Sequence, residues 1–479
     1  MKRYKYLGTL LLAAVLCFHT GCLRPYTVPD NSGTGDTVPT LGTVATSYTT
    51  TDGSAVTDTS AGQTGETGDN PSTASSGDSS QAPSTGAATD PSTAPHSSTT
   101  PAATTTTTLP SGDPSPSAPS EMKGVWLSYI ELDAMFRGQT VAAAKAAIDQ
   151  VMDNCKSYGL NTVFFHVRAN SDAYYQSSLF KPASSVSGLI GAGFDPLAYA
   201  VASAHSRGLQ LHAWVNPYRI GADFSYCVSG VDYFAKTSGG VTRYYYVPTS
   251  ANAQKLILDG LRELTRNYAI DGIQYDDYFY PTGLMSASAE DFEETDYAAS
   301  GGNLSVADWR RAAVDNLVMG SYHVAHEKGI VFGVSPSHDY DKTYSQMYAD
   351  TYKWLAQPGY VDYVCPQIYF GFLHGSSPFN QVVDRWRSQP RADSVKLYVG
   401  LAIYKVAISD DTWAGSGRTE WANHDDIMKR SVEYLRSQNV PGMIFYSYTY
   451  FDYTNHWSSG SQADIARREV ENLLPLLRD

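Results

Sequence analysis

The sequence predicts an α/β fold, a (β/α)8 TIM barrel, over residues 121–479. Three observations predict it. Short apolar runs alternate with longer amphipathic ones, the pattern of a parallel sheet wrapped in helices. The alternation repeats eight times with no compositional break, which fits a closed barrel better than a doubly wound sheet. A dinucleotide-binding fold would carry G-x-G-x-x-G after an early strand, and this chain has none there.

The elements follow in order. "KGVWLSYI" (Lys123–Ile130) reads as the first strand. "VAAAKAAIDQVMDNCKSYG" (Val141–Gly159) is an Ala-rich helix stopped by Gly. "NTVFFHVRA" (Asn161–Ala169) is the second strand. "DPLAYAVASAHSRG" (Asp195–Gly208) is a helix with Asp as cap and Pro in its first turn. "LQLHAWVNP" (Leu209–Pro217) is a strand and "ANAQKLILDGLRELTRNY" (Ala251–Tyr268) its helix. "DGIQYDDYF" (Asp271–Phe279) is the fourth strand, followed by a helix over Val306–Gly329. The fifth unit is Ile330–Ser337 with a helix over Ser345–Gln357. The sixth is Val361–Phe370 with Pro378–Ser388, and the seventh Val395–Tyr404 with His424–Gln438. The eighth is Pro441–Phe451, closed by a helix over Ser461–Leu477.

Two different segments precede the barrel. Lys2, Arg3 and Lys5 lead into "LGTLLLAAVLCF" (Leu7–Phe18), an apolar run too short to span a bilayer comfortably. Residues 1–21 therefore read as an export signal. "GC" at Gly21–Cys22 resembles a bacterial lipobox, with His19 in place of the usual Leu. Cys22 is the expected lipidation site and membrane anchor, since two or more acyl chains hold a protein stably at a bilayer. The expected location is the bacterial cell envelope. Residues 22–120 are Thr, Ser, Pro and Gly with few large apolar side chains. Such a chain cannot bury enough surface to offset its ordering entropy, so a disordered tether is expected.

The formal net charge is −14. The barrel shows no basic stripe, which disfavours nucleic acid and electrostatic docking to anionic lipid. Cys155, Cys227 and Cys365 remain once Cys17 and Cys22 are set aside. An odd count without C-x-x-C fits neither a zinc knuckle nor a disulfide scaffold. His166, His212 and His338 lack metalloprotease spacing. No metal and no cofactor are expected. "EDFEETD" (Glu290–Asp296) reads as a solvated acidic loop rather than a calcium site.

A barrel places its chemistry at the C-terminal ends of the strands. Those ends gather Arg168 and Asp172 after strand two, and Asn216, Tyr218 and Arg219 after strand three. Asp276, Asp277 and Tyr278 end strand four; Gln367 and Tyr369 end strand six; Lys405 follows strand seven and Tyr446 ends strand eight. Aromatic faces stack on sugar C–H surfaces, while amides, carboxylates and Arg bond hydroxyls. Glycoside cleavage needs carboxyl groups as acid and as nucleophile or base. A polysaccharide is therefore the expected partner. Neighbouring side chains on a strand point to opposite faces. Asp276 and Asp277 can serve one substrate only if the strand has ended before them.

"KGVWLSYIELD", "NTVFFHVRANSDAYYQS", "FDPLAYAVASAHSRGLQLHAWVNPYR", "YAIDGIQYDDYFYP", "VFGVSPSH" and "YVDYVCPQIYFG" together resemble the glycosyl-hydrolase-like family ten. The resemblance covers essentially all of 121–479. It implies an exported O-glycosyl hydrolase on a (β/α)8 barrel, acting on peptidoglycan glycan strands, especially those stripped of peptide. "DGIQYD" is also similar to the α-amylase-type Asp-Gly-Phe-Arg-x-Asp, whose final Asp is the nucleophile. That similarity puts Asp276 in the role of nucleophile or base. The α-amylase-type acid is a Glu after strand five, and "VFGVSPSHDY" offers none. Asp277, Asp172, Asp339 and Glu131 compete for the acid, with Asp277 first by proximity. A non-catalytic glycan-binding protein on the same scaffold is the alternative.

Overall fold

The apolar runs form one parallel sheet whose strand order follows the chain. The computed structural model describes residues 119–452 and 460–479. The strands are β1 (Met122–Leu127), β2 (Thr162–Arg168), β3 (Gln210–Val215) and β4 (Gly272–Tyr275). They continue as β5 (Val331–Val334), β6 (Tyr363–Val364), β7 (Lys396–Leu397 and Val399–Leu401) and β8 (Gly442–Phe445). β1 pairs with both β2 and β8. β7 is split at Tyr398: its first piece pairs with β6 and its second with β8. The ring closes through that one residue, whose side chain turns into the barrel interior. The expectation of eight strand–helix units thus holds, with the seventh strand in two pieces.

The helices after each strand are α1 (Val141–Tyr158), α2 (Pro196–His205), α3 (Ala251–Asn267) and α4 (Val306–His326). Then come α5 (Thr351–Ala356), α6 (Phe379–Arg387), α7 (Ile427–Ser437) and α8 (Ser461–Arg478). The cap expectations hold. The Asp195 carboxylate accepts from Leu197 N and Ala198 N, and Gly159 takes φ 83° after α1. The single helix expected over 345–357 is instead two. One is Tyr340–Gln346, and α5 starts only after Asp350, whose side chain caps Lys353 N. An N-cap side chain competes with the continuing helix for backbone donors, so Asp350 resets the chain.

The barrel interior is filled by Met122, Trp126, Phe164, Trp214, Tyr363, Cys365, Tyr398 and Ile444. These come from alternate positions of six strands, as strand alternation requires. Room for them is made by glycine. A Cβ on Gly333 would lie 2.1 Å from the Tyr363 ring. Gln274 satisfies the one buried donor of Trp126, accepting its indole N–H at 2.6 Å and donating to Tyr363 Oη at 3.2 Å. The outward faces of the strands pack against the helices in a second, larger core.

A repeated device locks strand starts. Asp271, just before β4, accepts Leu211 N of β3 at 2.7 Å and meets His205 Nε2 at 2.9 Å. Asp362, before β6, accepts Phe332 N of β5 at 2.7 Å and meets His326 Nε2 at 3.0 Å. Each pins the end of one helix to the bottom of two strands.

At the other side of the core, Glu469 of α8 is buried and accepts Met428 N of α7. Burial pushes its carboxyl up to about 8. The folded state therefore holds a proton that the unfolded state releases near pH 4.3. Stability from this group is full below the unfolded value and is lost as pH rises toward 8. Glu469→Gln keeps the acceptor and removes the titration. Thermal unfolding should show the variant gaining on wild type as pH rises from about 5 to 8; parallel curves would refute it.

Cys22, the export signal and the tether through Ala118 lie outside the described residues. Among the described residues no helix is long and apolar enough to cross a membrane.

Candidate active site

β4 ends at Tyr275, so Asp276 and Asp277 both lie just past the strand. This meets the condition under which neighbouring carboxylates can share one site. Asp276 is 7 % exposed and Asp277 9 %. The Asp276 Oδ1 accepts Asp277 N at 2.8 Å and Gln367 Nε2 at 2.8 Å. Gln367 is itself held by donating to Ser335 O at 3.1 Å, and its backbone bridges to Ser337 and Gly400. The sixth strand thus carries its amide to the fourth.

The two carboxyls differ in environment. Both are raised by burial. The Asp276 carboxyl is held back by its two N–H donors and by the Arg219 charge. The Asp277 carboxyl is driven well above the ordinary range by burial and then by the Asp276 charge beside it. Of the two, Asp277 is the one driven toward the protonated form. Among the described residues neither forms an ion pair. Such a divergence between paired acids is the pattern of an acid and a base working together.

Aromatic rings wall the pair. Tyr446 lies 6.0 Å from Tyr369, 5.8 Å from Tyr404 and 6.2 Å from Trp126, centroid to centroid. Tyr278 is 42 % exposed, with the Arg219 guanidinium 5.0 Å above its ring. The Arg219 charge reaches both Asp276 and Asp172. Below them His166 stacks on Trp214 at 3.6 Å, kept neutral by burial and by Arg219.

The structure thus brings together Asp276, Asp277, Tyr278, Arg219, Gln367, Tyr369 and Tyr446. Other candidates are placed differently. Arg168 is buried against the Phe180 ring and donates to Asn216 O and Pro217 O. Asn216 donates to Ala169 O at 2.8 Å and is fully buried, as is Tyr218. These three stand behind the loops, where they brace rather than meet solvent. Asp172 accepts Asn170 N at 3.0 Å from its own loop. Lys405 is paired with Asp411 at 2.8 Å. Glu131 accepts Ser128 N, Ser447 Oγ and Thr449 N, tying the loops after β1 and β8 together.

Tyr404, at the end of strand seven in the sequence, and Trp126, readable there as either stacking platform or barrel filling, both lie against Tyr446. Tyr129, edge-on to His166, was not singled out by the strand-end reading. Tyr129 begins a short helix, Tyr129–Phe136, whose Ser128–Glu131 capping box is a start signal that the reading of Lys123–Ile130 as one strand passed over. In the acidic stretch 290–296 the expectation of a solvated loop holds for Asp291, Glu294 and Asp296, which are exposed. Glu293 is the correction, fully buried and bound to Arg310. It became buried because the loop after β4 folds over α4, where a cation awaits it.

The family model for glycosyl hydrolase-like 10 matches residues 121–415. The chain belongs to the glycosyl hydrolase-like 10 family. Glycosyl hydrolase YngK of Bacillus subtilis (strain 168) is 27 % identical over 354 residues, 68 % of this chain and 68 % of that protein. Glycosyl hydrolase DigH of Escherichia coli (strain K12) is 31 % identical over 348 residues, 62 % of this chain and 78 % of that protein. Among solved structures, the PgaB (BpsB) glycoside hydrolase domain from Bordetella bronchiseptica aligns with TM-score 0.49 and 14 % identity, over 73 % of this chain and 99 % of that one. The family match spans the strand ends from β1 through the loop after β7, and so the carboxyl pair and its walls except Tyr446 at the end of β8.

Proposed function

We propose that this family member is a cell-envelope glycosidase that cleaves O-glycosidic bonds in peptidoglycan glycan strands. A lipid anchor at Cys22 and the tether would hold its barrel at the membrane. The observation that carries the reading is the unequal carboxyl pair at the end of β4. In the proposed reaction Asp277, protonated, gives its proton to the leaving oxygen. Asp276, ionised and held by Gln367, is the nucleophile or base. Tyr278, Tyr369 and Tyr446 offer ring faces to the sugar, and Arg219 bonds its hydroxyls.

The pH dependence follows. Activity needs Asp277 protonated, so it falls as pH rises through that raised value. It needs Asp276 ionised, so it falls as pH drops through the other. A bell-shaped kcat/KM profile is expected, with both limbs above the ordinary Asp range near about 3.9. A profile lacking the alkaline limb would remove Asp277 from the acid role.

The substrate reading is tested with the full chain on naked and on peptide-bearing glycan strands, counting new reducing ends. Faster release from naked strands is expected. Tight binding of the strands with no release would favour the non-catalytic glycan-binding alternative.

A further inference from the structure

We propose that the nucleophile at this site is the 2-acetamido oxygen of the sugar itself, with Asp276 holding the acetamido N–H and Asp277 acting as the acid. This rests on the glycosidase reading above and narrows it to 2-acetamido sugars and one mechanism.

The argument is one of reach. Two enzyme carboxyls that share a glycosidic bond stand about 5–5.5 Å apart for retention and about 6.5–9.5 Å apart for inversion. Asp276 and Asp277 are consecutive just past β4, and the Asp276 carboxylate accepts the Asp277 backbone N–H at 2.8 Å. A pair held this close together at one strand end approaches the sugar from one side only. The opposite face needs a partner from elsewhere in the mouth.

Five other carboxylates of the strand-end loops, among the described residues, are already engaged. Glu131 accepts three donors, from Ser128, Ser447 and Thr449. Asp339 caps the helix at Tyr340, accepting Lys342 N. Asp411 is paired with Lys405. Glu420 accepts Phe372 N and Leu373 N, one on each oxygen. Asp172 turns back on its own loop to accept Asn170 N. Among the described residues these five are each held by donors of their own, while Asp276 and Asp277 lie side by side as an acid and a fixed acceptor.

A 2-acetamido sugar brings the missing group. Its carbonyl oxygen is one ring closure from C1, and an intramolecular attack is entropically favoured. The carbonyl oxygen bonds to C1 as the C1–O bond to the leaving sugar breaks. The Asp277 proton passes to the leaving oxygen. The ring that forms is an oxazolinium whose N–H faces the Asp276 carboxylate. Water then attacks C1 and gives a proton to the Asp277 carboxylate, and the acetamide reopens. Asp276, fixed by the Asp277 N–H and the Gln367 amide, needs no movement to take that N–H. Configuration at C1 is retained and both carboxyls end as they began.

The test uses the full chain with naked glycan strands of 2-acetamido sugars and with the same strands after chemical N-deacetylation. The expected result is a loss of about a thousandfold or more in kcat on deacetylated strands, beyond any change in KM. A sugar thiazoline, which mimics the oxazolinium, should compete with the acetylated strands. Equal kcat on both strands, or a covalent glycosyl adduct on any carboxylate by intact mass, would overturn this inference while leaving the glycosidase reading in place. Cleavage of neither strand would overturn both.

Discussion

Asp277→Ala lowers kcat on glycan strands by about 10²–10⁴, the usual weight of a general acid, and leaves KM nearly unchanged. The reason is the environment of the pair. Burial and the Asp276 charge keep the Asp277 proton in place at pH values where an ordinary Asp has lost it. That proton is needed only when the leaving group is a poor one. A dinitrophenyl glycoside of the same sugar leaves without protonation, so the variant should hydrolyse it at close to the wild-type rate for glycosidic cleavage. Asp276→Asn should fail on both substrates, because its carboxylate is required whatever leaves. The measurement is kcat/KM, which reports the bond-breaking step and not the later attack of water, for the two variants on the two substrates. Equal losses for Asp277→Ala on both would show that Asp277 holds structure and transfers no proton. Losing the Asp276 charge should also ease the proton from Asp277, moving its titration downward.

Arg310→Ala is the second large effect, on stability. Arg310 and Glu293 are fully buried and paired. The guanidinium also donates to Ser286 O at 2.6 Å, Ser288 O at 3.0 Å and Tyr348 Oη at 2.8 Å. One side chain of α4 thereby staples the long loop that follows β4. Truncating it leaves a buried carboxylate unpaired, which costs about 3–5 kcal/mol. Urea unfolding should show that loss. Replacing both partners, Arg310→Met with Glu293→Met, should recover part of it, since no charge is then stranded. Full recovery is not expected, because two carbonyls and the Tyr348 hydroxyl still lose their donor. A loss under about 1 kcal/mol for Arg310→Ala would mean that the loop opens to water around Glu293. The same opening would disturb Tyr280, which lies against Tyr348 at 5.0 Å and sits three residues from Asp277.

The barrel was legible because parallel strands covered on both faces are written as apolar runs, each followed by a helical pattern, and five of those eight helices start at a side-chain cap. The ends of those runs were less legible: the fourth reads on to Phe279, while β4 stops at Tyr275, which lets two adjacent carboxylates share one site. Other features left a signal that the strand–helix rhythm hid. Tyr233–Ser238 and Val241–Tyr246 form an antiparallel hairpin in the loop after β3. Gly239 and Gly240 turn it with φ 58° and 75°, a Gly-Gly signal that the sequence does carry. The Glu293–Arg310 pair left none. Its members are 17 residues apart and meet only when the loop folds onto α4. The placement of Arg168 was hidden for a similar reason. A register shift between His166 and Arg168 breaks the alternation from which its direction would be inferred.

The most direct measurement is the release of reducing ends from naked glycan strands by the full chain, beside Asp276→Asn. The account predicts steady release by the wild-type protein and loss of that release in the variant, with the fold and strand binding kept. Equal release by both proteins, or release by neither, would contradict it.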